Sequence, residues 1–504
     1  MDNGKFKEIK GKENFFDKII RLIEVVGNKL PNPVILFFLV WLFVLILSQL
    51  LNGVSATDPS TGKTVMVKGL LNGKDLIWMI KSMVKNYTSF SPLGVVLVMM
   101  IGLGVTTGSG LLNEAMKKIA VVPEKWLVFI LLFVGICGNI ASGAASAIIP
   151  ALGAALFHAA HKDPIFGLCI GFAGVTAGFT ANLALTGTDA LLAGISTTAY
   201  QLVKPNASVS IACNYYFMFA STLVIAVVAT LVVNKFLMPR YGQWNPKYDY
   251  CQASIEIKNA EKESLPSELV NKGLHRALLA TVIYWAFLIG ILNQILLDGI
   301  VIFMMLYFIV VGLVFGWTTG TMKNVAQLVK RMENGLKSCI GFLVIAFPIS
   351  NAIAAFGRSG IANVLAIELA SFCVEYGITG VPLFITVILI VSFVNLFLVS
   401  SSSKWALLSP IIVPFMYYLG YTPEAAQVLY RIGDSCTNII TPLQPFIGMH
   451  LAVIRRYDAD AGLGSIFSRT LPLSFTFFVT WIILLLIWNA LGLPLGPGGV
   501  GFTL

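Results

Sequence analysis

The sequence predicts an all-α, polytopic membrane protein, and two observations support this prediction. Of its 504 residues, 57% are hydrophobic and only 12% are charged, whereas soluble proteins have about 45–50% apolar and about 25% charged residues. Several apolar stretches also approach the roughly 20 residues that cross a bilayer as a helix. A soluble protein with an unusually apolar core is the alternative, and the composition disfavours it. The clearest predicted spans are residues 34–51, 126–139, 215–233, 278–297, 300–317, 341–354, 381–399 and 471–491.

Basic residues near the ends of these spans predict the orientation. The net charge is +10, and Lys and Arg are concentrated in residues 1–30, 235–276 and 322–337. Because cytoplasmic loops carry an excess of Lys and Arg, we expect these three segments in the cytoplasm and the polar loop 52–74 outside. The charge therefore reflects membrane topology and does not indicate a nucleic-acid partner. The first apolar run is longer than a signal-peptide core and lacks a small-residue cleavage site, so we expect it to remain as a helix.

The polar segment 235–276 is predicted to link two transmembrane halves, residues 31–234 and 277–504, which contain matching patterns. Ser142 lies eight residues before Pro150, and Ser402 lies eight before Pro410. A further Pro and a Thr/Asn/Thr cluster follow in the same order in each half. Paired, interrupted hydrophobic segments in corresponding positions are typical of a secondary transporter's binding site. Helix packing through small residues is the alternative, but it leaves the neighbouring Asn, Asp and Arg unexplained.

Four charged residues lie at predicted membrane depth: Asp189, Lys404, Arg431 and Asp434. Each costs about 2.5–3.5 kcal/mol on insertion scales, so such residues are functional candidates. Arg431 and Asp434 are three residues apart and share a helical face, which also fits an internal salt bridge. Asp189 also fits the cap of a helix that begins at Ala190.

Other function classes lack their signatures. The seven cysteines are odd in number and form no C-x-x-C pair, which disfavours a disulfide framework or a metal site. His158, His161 and His450 have no Cys or carboxylate at ligand spacing. The string at residues 60–64, STGKT, lacks the upstream Gly of a phosphate-binding loop, and G-x-S-x-G and H-E-x-x-H are absent. We therefore expect neither an enzyme nor an ATP-driven pump, and no cofactor beyond a coupling ion.

The motifs resemble one known family along almost the whole chain. The segment NIASGAASAIIPALGAALF at residues 139–157 resembles the first hairpin of the p-aminobenzoyl-glutamate transporter (AbgT) family. The longer segment at residues 395–446, which contains VSSSSKWALLSP and YRIGDSCTNIITPLQP, is similar to that family's second hairpin and following broken helix. The family resemblance implies about nine transmembrane helices plus two re-entrant helical hairpins, at about residues 139–160 and 396–421. It also implies an inverted-repeat transport core, a dimerisation scaffold, a homodimer, and location in the cell's inner (cytoplasmic) membrane.

The resemblance also implies a substrate and a site. Family substrates are p-aminobenzoyl-glutamate, a folate breakdown product, and in some members sulfonamide antimetabolites that are exported. Arg431 could pair with a carboxylate, and Trp405 could stack on the aromatic ring. Gly143 stands where many relatives have an acidic residue, so ion or substrate preference is expected to differ. The expected substrate-binding residues are Asn395, Ser402, Trp405, Pro423, Arg431, Asp434 and Asp189, and the expected ligands of the coupling H⁺ or Na⁺ are Asp189, Asn182, Asn438, Asp434 and Asn139.

Three other functions remain open from the sequence. The twin interrupted segments also suit an ion-coupled transporter of another organic anion such as a dicarboxylate, in which Trp405 would have less to do. A passive channel would give flux that follows substrate concentration, and an intramembrane enzyme would release an altered substrate. The direction of transport does not follow from the sequence.

Overall fold

A computed structural model of the chain describes residues 31–250, 267–292 and 299–504, apart from residues 32, 58–61, 63, 119–122 and 142. The predicted N-terminal segment 1–30 and most of the central part of the predicted linker therefore lie outside the described residues. The described chain is mostly helical, with one antiparallel pair of strands, β1 (Ser55–Thr57) and β2 (Thr64–Met66). This pair lies in the loop that the sequence places outside the membrane.

Nineteen of the twenty α-helices in these described ranges are labelled in chain order; the short helix Met238–Tyr241 continues the one that begins at Tyr215 and has no label of its own. They are α1 (Pro33–Leu50), α2 (Gly73–Thr88), α3 (Ser91–Ser109), α4 (Leu111–Lys118), α5 (Leu127–Cys137), α6 (Gly143–Ala159), α7 (Pro164–Phe172), α8 (Gly187–Tyr200), α9 (Tyr215–Val232), α10 (Ser267–Leu292), α11 (Ile300–Thr319), α12 (Val325–Ser338), α13 (Ile340–Ser359), α14 (Ile361–Glu375), α15 (Val381–Asn395), α16 (Ser401–Tyr418), α17 (Pro423–Cys436), α18 (Ile447–Arg455) and α19 (Leu463–Ala490).

Several of these helices are long and apolar enough to cross a membrane. Five stretches of the described residues meet both conditions: Gly73–Ser109, Tyr215–Tyr241, Ile300–Thr319, Ile340–Ser359 and Leu463–Ala490. Five shorter apolar helices of 10–17 residues accompany them. The multi-pass helical architecture predicted from composition is therefore present.

The predicted spans coincide with helices, but several of their ends differ. The prediction for 215–233 agrees with α9 within one residue, but the helical path continues through a π-helical turn and a short α-helix to Tyr241. The span predicted to begin at residue 278 begins at Ser267, and the one predicted at 471 begins at Leu463. In α10 the first turns are polar (SELVNKGLHR), and hydropathy does not detect helical residues of that kind.

One group of helices packs around α3. Helices α11, α12 and α8 all lie along it, and glycines permit the close approach. A Cβ atom at Gly102 would lie 2.5 Å from the carbonyl oxygen of Met305, and one at Gly104 would lie 2.4 Å from that of Arg331. Small residues of this kind let helix backbones pack closely in membranes.

A second group contains the largest hydrophobic cluster, formed by buried side chains of α5, α7, α9, α15, α16, α17 and α19. Within it, α6 and α7 run antiparallel in close contact. A Cβ atom at Gly153 would lie 2.3 Å from the carbonyl oxygen of Gly167, and the reverse distance is also 2.3 Å. Asp163 caps α7 by accepting from the backbone N–H of Ile165 at 2.7 Å, and its other oxygen lies 3.0 Å from Arg469.

Each predicted hairpin range overlaps one described α-helix. Residues 139–160 contain α6, and residues 396–421 contain α16. The next helix in each half, α7 or α17, begins at Pro164 or Pro423. Proline is favoured in the first turn of a helix, so these two prolines mark helix starts just beyond the predicted ranges.

Four interruptions divide the helices of the second group. The α-helical path breaks at residues 138–141, 178–186, 396–400 and 437–446 of the described chain. In both halves the order is helix, interruption, helix, short turn, helix, interruption. Before the second interruption, α7 continues as a π-helical turn, Ala173–Ala177. These interruptions bring the polar residues of the sequence motifs together.

Candidate functional site

Two ion pairs are buried beside the interruptions. Arg431 Nη1 lies 2.7 Å from Asp189 Oδ1, and Lys404 Nζ lies 2.5 Å from Asp434 Oδ1. The side chains of Lys404 and Asp434 are 0% exposed. Buried charges require a partner, because an unpaired charge removed from water costs several kcal/mol. Each acid therefore has a specific cation on another helix.

These pairs correct one interpretation of the sequence. Arg431 and Asp434 both lie on α17, but they do not form an internal salt bridge with each other. Arg431 pairs with α8 of the first half, and Asp434 pairs with α16. The i,i+3 spacing suggested a pair within α17, but the packing of α17 against α8 and α16 places each charge beside a partner on another helix.

Asp189 has the capping role predicted for it, at a different helix start. Helix α8 begins at Gly187, not at Ala190, and Thr186 is its N-cap. Asp189 Oδ2 accepts hydrogen bonds from the Thr186 backbone N–H and hydroxyl, both at 2.7 Å. Its other oxygen remains for Arg431, so this carboxylate both caps the helix and completes the ion pair.

Asn395 and Ser401 complete the surroundings of the Lys404–Asp434 pair. Asn395 Oδ1 accepts from Lys404 Nζ, and Ser401 Oγ donates to Asp434 Oδ2 at 2.6 Å. Both carboxylate oxygens of Asp434 therefore have a partner, Lys404 Nζ for Oδ1 and Ser401 Oγ for Oδ2. The Asn395 amide nitrogen is within hydrogen-bond distance of three oxygens: Asp434 O at 2.8 Å, Thr437 Oγ1 at 2.8 Å and Asn438 Oδ1 at 3.0 Å.

Trp405 lies inside the protein. It is 0% exposed, in the second turn of α16. Its ring stacks on Tyr430 with centroids 4.4 Å apart, and its Nε1–H donates to Ser196 Oγ at 2.9 Å. The Gln427 carboxamide lies 2.6 Å from the same hydroxyl, and oriented to satisfy both ends it accepts from Arg431 Nη2 at 3.1 Å. A continuous polar chain thus connects Trp405 to the Arg431–Asp189 pair.

A cavity of about 320 Å³ lies where the interruptions meet, within the range of small-ligand sites. We call it the central cavity. Of the predicted site residues, all in the described part of the chain, Asn139 and Asn438 line it. Ser401 connects it to Asp434. Its lining residues come from all four interruptions and their edges: Asn139, Ser146, Thr176, Phe179, Thr188, Val399, Ser400, Ser401, Asn438, Gln444, Pro445 and Phe446.

The remaining predicted residues occupy different positions. Ser402 is half-buried in the first turn of α16, and Pro423 begins α17 at the end remote from Asn438. Asn182 lies in the interruption 178–186, and its buried Oδ1 has no hydrogen-bond partner among the described residues. That oxygen is available to a cation. Asn438 Nδ2 donates to Thr176 O at 3.3 Å, in the π-helical turn.

Several residues that contact the two ion pairs or Trp405 were absent from the predicted site. Lys404 was recognised as a charge at membrane depth but was not assigned to the site. Ser196, Gln427 and Tyr430 were not considered. Gln427 lies four residues before Arg431 and so shares its helical face, which was a usable signal. Ser196 is seven residues after Asp189, about two helical turns, and could have been found in the same way.

Comparisons with known proteins agree with each other. The family model described as the AbgT putative transporter family matches residues 18–502. The p-aminobenzoyl-glutamate transport protein of Escherichia coli strain K12 is 35% identical over 500 residues, which cover 95% of this chain and 96% of that protein.

Two solved structures have a similar fold. The MtrF protein of Neisseria gonorrhoeae, described as illuminating a class of antimetabolite efflux pumps, has a TM-score of 0.87 at 35% identity; the match covers 95% of this chain and 99% of that one. The YdaH transporter of Alcanivorax borkumensis, described as having an unusual topology, has a TM-score of 0.83 at 31% identity, covering 93% and 100%.

Proposed function

The chain belongs to the AbgT transporter family, a family of transport proteins and not of enzymes, and on this basis we propose that it is an ion-coupled secondary transporter of p-aminobenzoyl-glutamate or related aromatic acids across the cytoplasmic membrane. The E. coli relative is named for that substrate, and efflux of antimetabolites is the function described for the N. gonorrhoeae structure. The proposal includes sulfonamide export as a second activity of the same site.

The observation that carries this proposal is the buried Arg431–Asp189 pair between the two halves. The substrate carries carboxylates, and a guanidinium binds carboxylates in a defined geometry. A substrate carboxylate can therefore replace Asp189 on Arg431 without leaving the cation unpaired. This exchange would separate α8 from α17 and open the site.

The same exchange explains why an ion would be required. Once displaced from Arg431, Asp189 would be a buried charge without a cation, which costs several kcal/mol. A proton or Na⁺ on Asp189 removes that cost, so ion and substrate binding favour each other. The unpartnered Oδ1 of Asn182 supports a nearby cation site, with Asn139 and Asn438 as further oxygen donors. Asp434 is held by Lys404 and would take part only if that pair also opens.

The architecture supports a moving core and a fixed scaffold. We assign the two helix–interruption–helix units as an inverted repeat, with α6–α7 and α16–α17 as the re-entrant hairpins. The helices packed around α3 then form the scaffold through which two copies associate as a homodimer. Transport would occur by movement of the core against this scaffold.

The test is transport of labelled p-aminobenzoyl-glutamate and of a sulfonamide into proteoliposomes, with H⁺ and Na⁺ gradients imposed separately. We expect accumulation with one of the gradients, and none for Arg431→Ala or Asp434→Ala. Asp458→Asn, which breaks the exposed Lys247–Asp458 pair, is the matched control and should transport normally. Normal transport by both alanine variants would show that the site is wrong, and flux without accumulation would indicate a passive channel.

Competition experiments separate the aromatic-acid proposal from a dicarboxylate transporter. Because Trp405 is buried against Tyr430, loss of flux in Trp405→Ala would follow from lost packing with either substrate. Unlabelled p-aminobenzoate and succinate are better probes. We expect p-aminobenzoate to inhibit flux more strongly than succinate, and the opposite order would favour the dicarboxylate.

A further inference from the structure

A second cavity, of about 410 Å³, lies along α8 and beside the first turn of α17, and we call it the outer cavity. Ser208 and Ser210 at its edge are exposed, whereas Ala193 and Thr197 on α8 are buried. It therefore opens to solvent and extends inward along α8. Its lining residues are Val95, Ala190, Ala193, Gly194, Thr197, Ser208, Val209, Ser210, Ile211, Ile300, Val301, Glu424, Pro497 and Val500.

The two cavities approach the Arg431–Asp189 pair from different directions. Helices α8 and α17 are antiparallel neighbours, because Asp189 contacts Arg431 and Ser196 contacts Gln427. The central cavity touches α8 at Thr188 and the chain just beyond α17 at Asn438. The outer cavity touches α17 at its opposite end, at Glu424, and runs along α8 from Thr197 to Ala190, the residue after Asp189. The ion pair therefore lies where the two cavities come closest along α8, and we call it the barrier.

Glu424 is the acidic residue of the outer cavity. It is 8% exposed and lines the cavity wall. None of the described lysines or arginines forms an ion pair with it. Seven residues separate it from Arg431, about 10 Å along the helix axis. The carboxylate thus lies between the opening and the barrier.

The other titratable groups around Glu424 do not neutralise it. On α8 the nearest are Tyr200 and, at the barrier, Asp189, whose charge Arg431 balances. From residues 201–214 come the buried Cys213 and, 6.0 Å from the Tyr200 ring, Lys204. The parts of α3, α11 and residues 497–500 that line the cavity contribute no charged side chain.

We propose that the outer cavity is a vestibule on the substrate path, and that Glu424 binds a proton which must be present for an anionic substrate to pass. This inference rests on the proposed transport of aromatic acids. Two like charges repel strongly in a space of low dielectric, and a substrate with two carboxylates must pass close to Glu424 in a confined cavity. A proton taken from water at the opening removes the repulsion, and its release after passage restores it.

The test is exchange of labelled for unlabelled p-aminobenzoyl-glutamate in proteoliposomes with the same pH on both sides, from pH 6 to pH 9. The substrate carboxylates stay ionised over this range, so a change reports the protein. Wild-type exchange should fall by about tenfold per pH unit once Glu424 loses its proton, and Glu424→Gln should keep its exchange at pH 9. Glu375→Gln, on the exposed end of α14, is the control and should follow the wild type.

A charge placed at the opening tests the path without altering the buried carboxylate. Ser210 is exposed and its hydroxyl accepts one hydrogen bond, from the Ala212 backbone N–H at 3.2 Å, so its substitution should cost at most about 1 kcal/mol of stability. We expect Ser210→Asp to lower the rate of exchange at pH 7 by about fivefold at low salt and Ser210→Lys to raise it, because exposed charges steer charged ligands.

The outcomes separate this inference from the proposed function. Identical pH profiles for wild type and Glu424→Gln overturn the role of Glu424. Unchanged rates in both Ser210 variants overturn the vestibule, even if Glu424→Gln does not fold. Absence of exchange by the wild type at every pH overturns the proposed function, and this inference with it.

Discussion

Lys404 and Asp434 neutralise each other in a part of the protein that solvent does not reach. Such a pair matters for stability mainly because losing one partner leaves the other charge buried and unpaired. Removing one member of a buried pair costs about 3–5 kcal/mol, whereas replacing both by apolar residues is often neutral. A variant in which both residues are replaced can therefore show whether the charges are needed for folding or for transport.

We therefore expect Asp434→Asn to destabilise the protein by about 3 kcal/mol, because it leaves Lys404 buried without a counter-charge. The double variant Lys404→Met, Asp434→Leu should recover most of that stability but none of the transport. Thermal unfolding in detergent, followed by size-exclusion chromatography, gives the stability. Asp458→Asn is the control, since exposed pairs contribute less than about 1 kcal/mol. A double variant that transports would show that this pair serves packing alone.

Trp405 provides the second prediction at this scale. Its ring stacks on Tyr430 and its N–H donates to Ser196. Truncation of a buried Trp to Ala costs about 3–5 kcal/mol, whereas Trp405→Phe keeps an aromatic ring and loses one hydrogen bond, worth about 1 kcal/mol. The melting temperature should therefore fall much further for the alanine variant. Equal melting temperatures would mean that this contact contributes little to folding.

The sequence singled out the charged residues that form the two buried ion pairs but did not indicate which residues pair with each other. Asp189, Arg431 and Asp434 stand out because ionisable groups are rare in apolar segments. Their pairing depends on which helices pack together, and the contact between Asp189 and Arg431 joins residues 242 positions apart. The burial of Trp405 depends on the same packing, because Tyr430 of α17 and Ser196 of α8 contact its ring and its N–H.

At the scale of elements, the α6–α7 pair depends on glycine. A Cβ atom at Gly153 would lie 2.3 Å from the carbonyl oxygen of Gly167, a distance that backbone atoms cannot accept. We expect Gly153→Ala to force the two helices apart and to lower stability by about 2 kcal/mol, in the range for overpacked interiors. Thermal unfolding and the yield of folded protein measure the effect.

Gly94→Ala is the matched control for this prediction. Gly94 is also helical, in α3, and nothing lies within 4 Å of the position its Cβ would occupy. Alanine there should be neutral or should stabilise by up to about 1 kcal/mol, because it is the better helix former. If both variants behaved alike, close contact would not be what holds α6 to α7.

The sequence predicts where a helix is present more accurately than it predicts the residues at which that helix begins and ends. Apolar runs identified α11 to within two residues and the first residue of α9. The helical path of α9 continues to Tyr241, through a segment that contains Asn, Lys and Arg, so the apolar run did not mark its end. The starts of α6 and α16 did not follow from the sequence, because Ser and Gly are compatible with both an interruption and a first helical turn. The π-helical turn at Ala173–Ala177 has no residue pattern that marks it in advance.

At the scale of the whole molecule, polar contacts join the two halves of the chain along α17. Arg431 contacts Asp189, Gln427 contacts Ser196, and the Ser435 hydroxyl lies 2.9 Å from that of Thr180. The Arg431–Asp189 barrier is therefore part of the interface between the halves. The proposed movement of the core against the scaffold would have to separate α17 from α8 there.

This arrangement predicts that the two cavities are reached from opposite sides of the membrane. Helix α9 leads from residues 208–211, at the edge of the outer cavity, to the predicted cytoplasmic linker, so the outer cavity should open away from the cytoplasm. A cysteine at Ser210 and one at Ser400, which lines the central cavity and is exposed, are suitable probes. Ser210→Cys should react in intact cells with a thiol reagent that does not cross membranes. Ser400→Cys should react in inverted membrane vesicles, with the parent chain measuring the background from its native cysteines. Reaction of both from the same side would mean that the Arg431–Asp189 pair does not separate an inner space from an outer one.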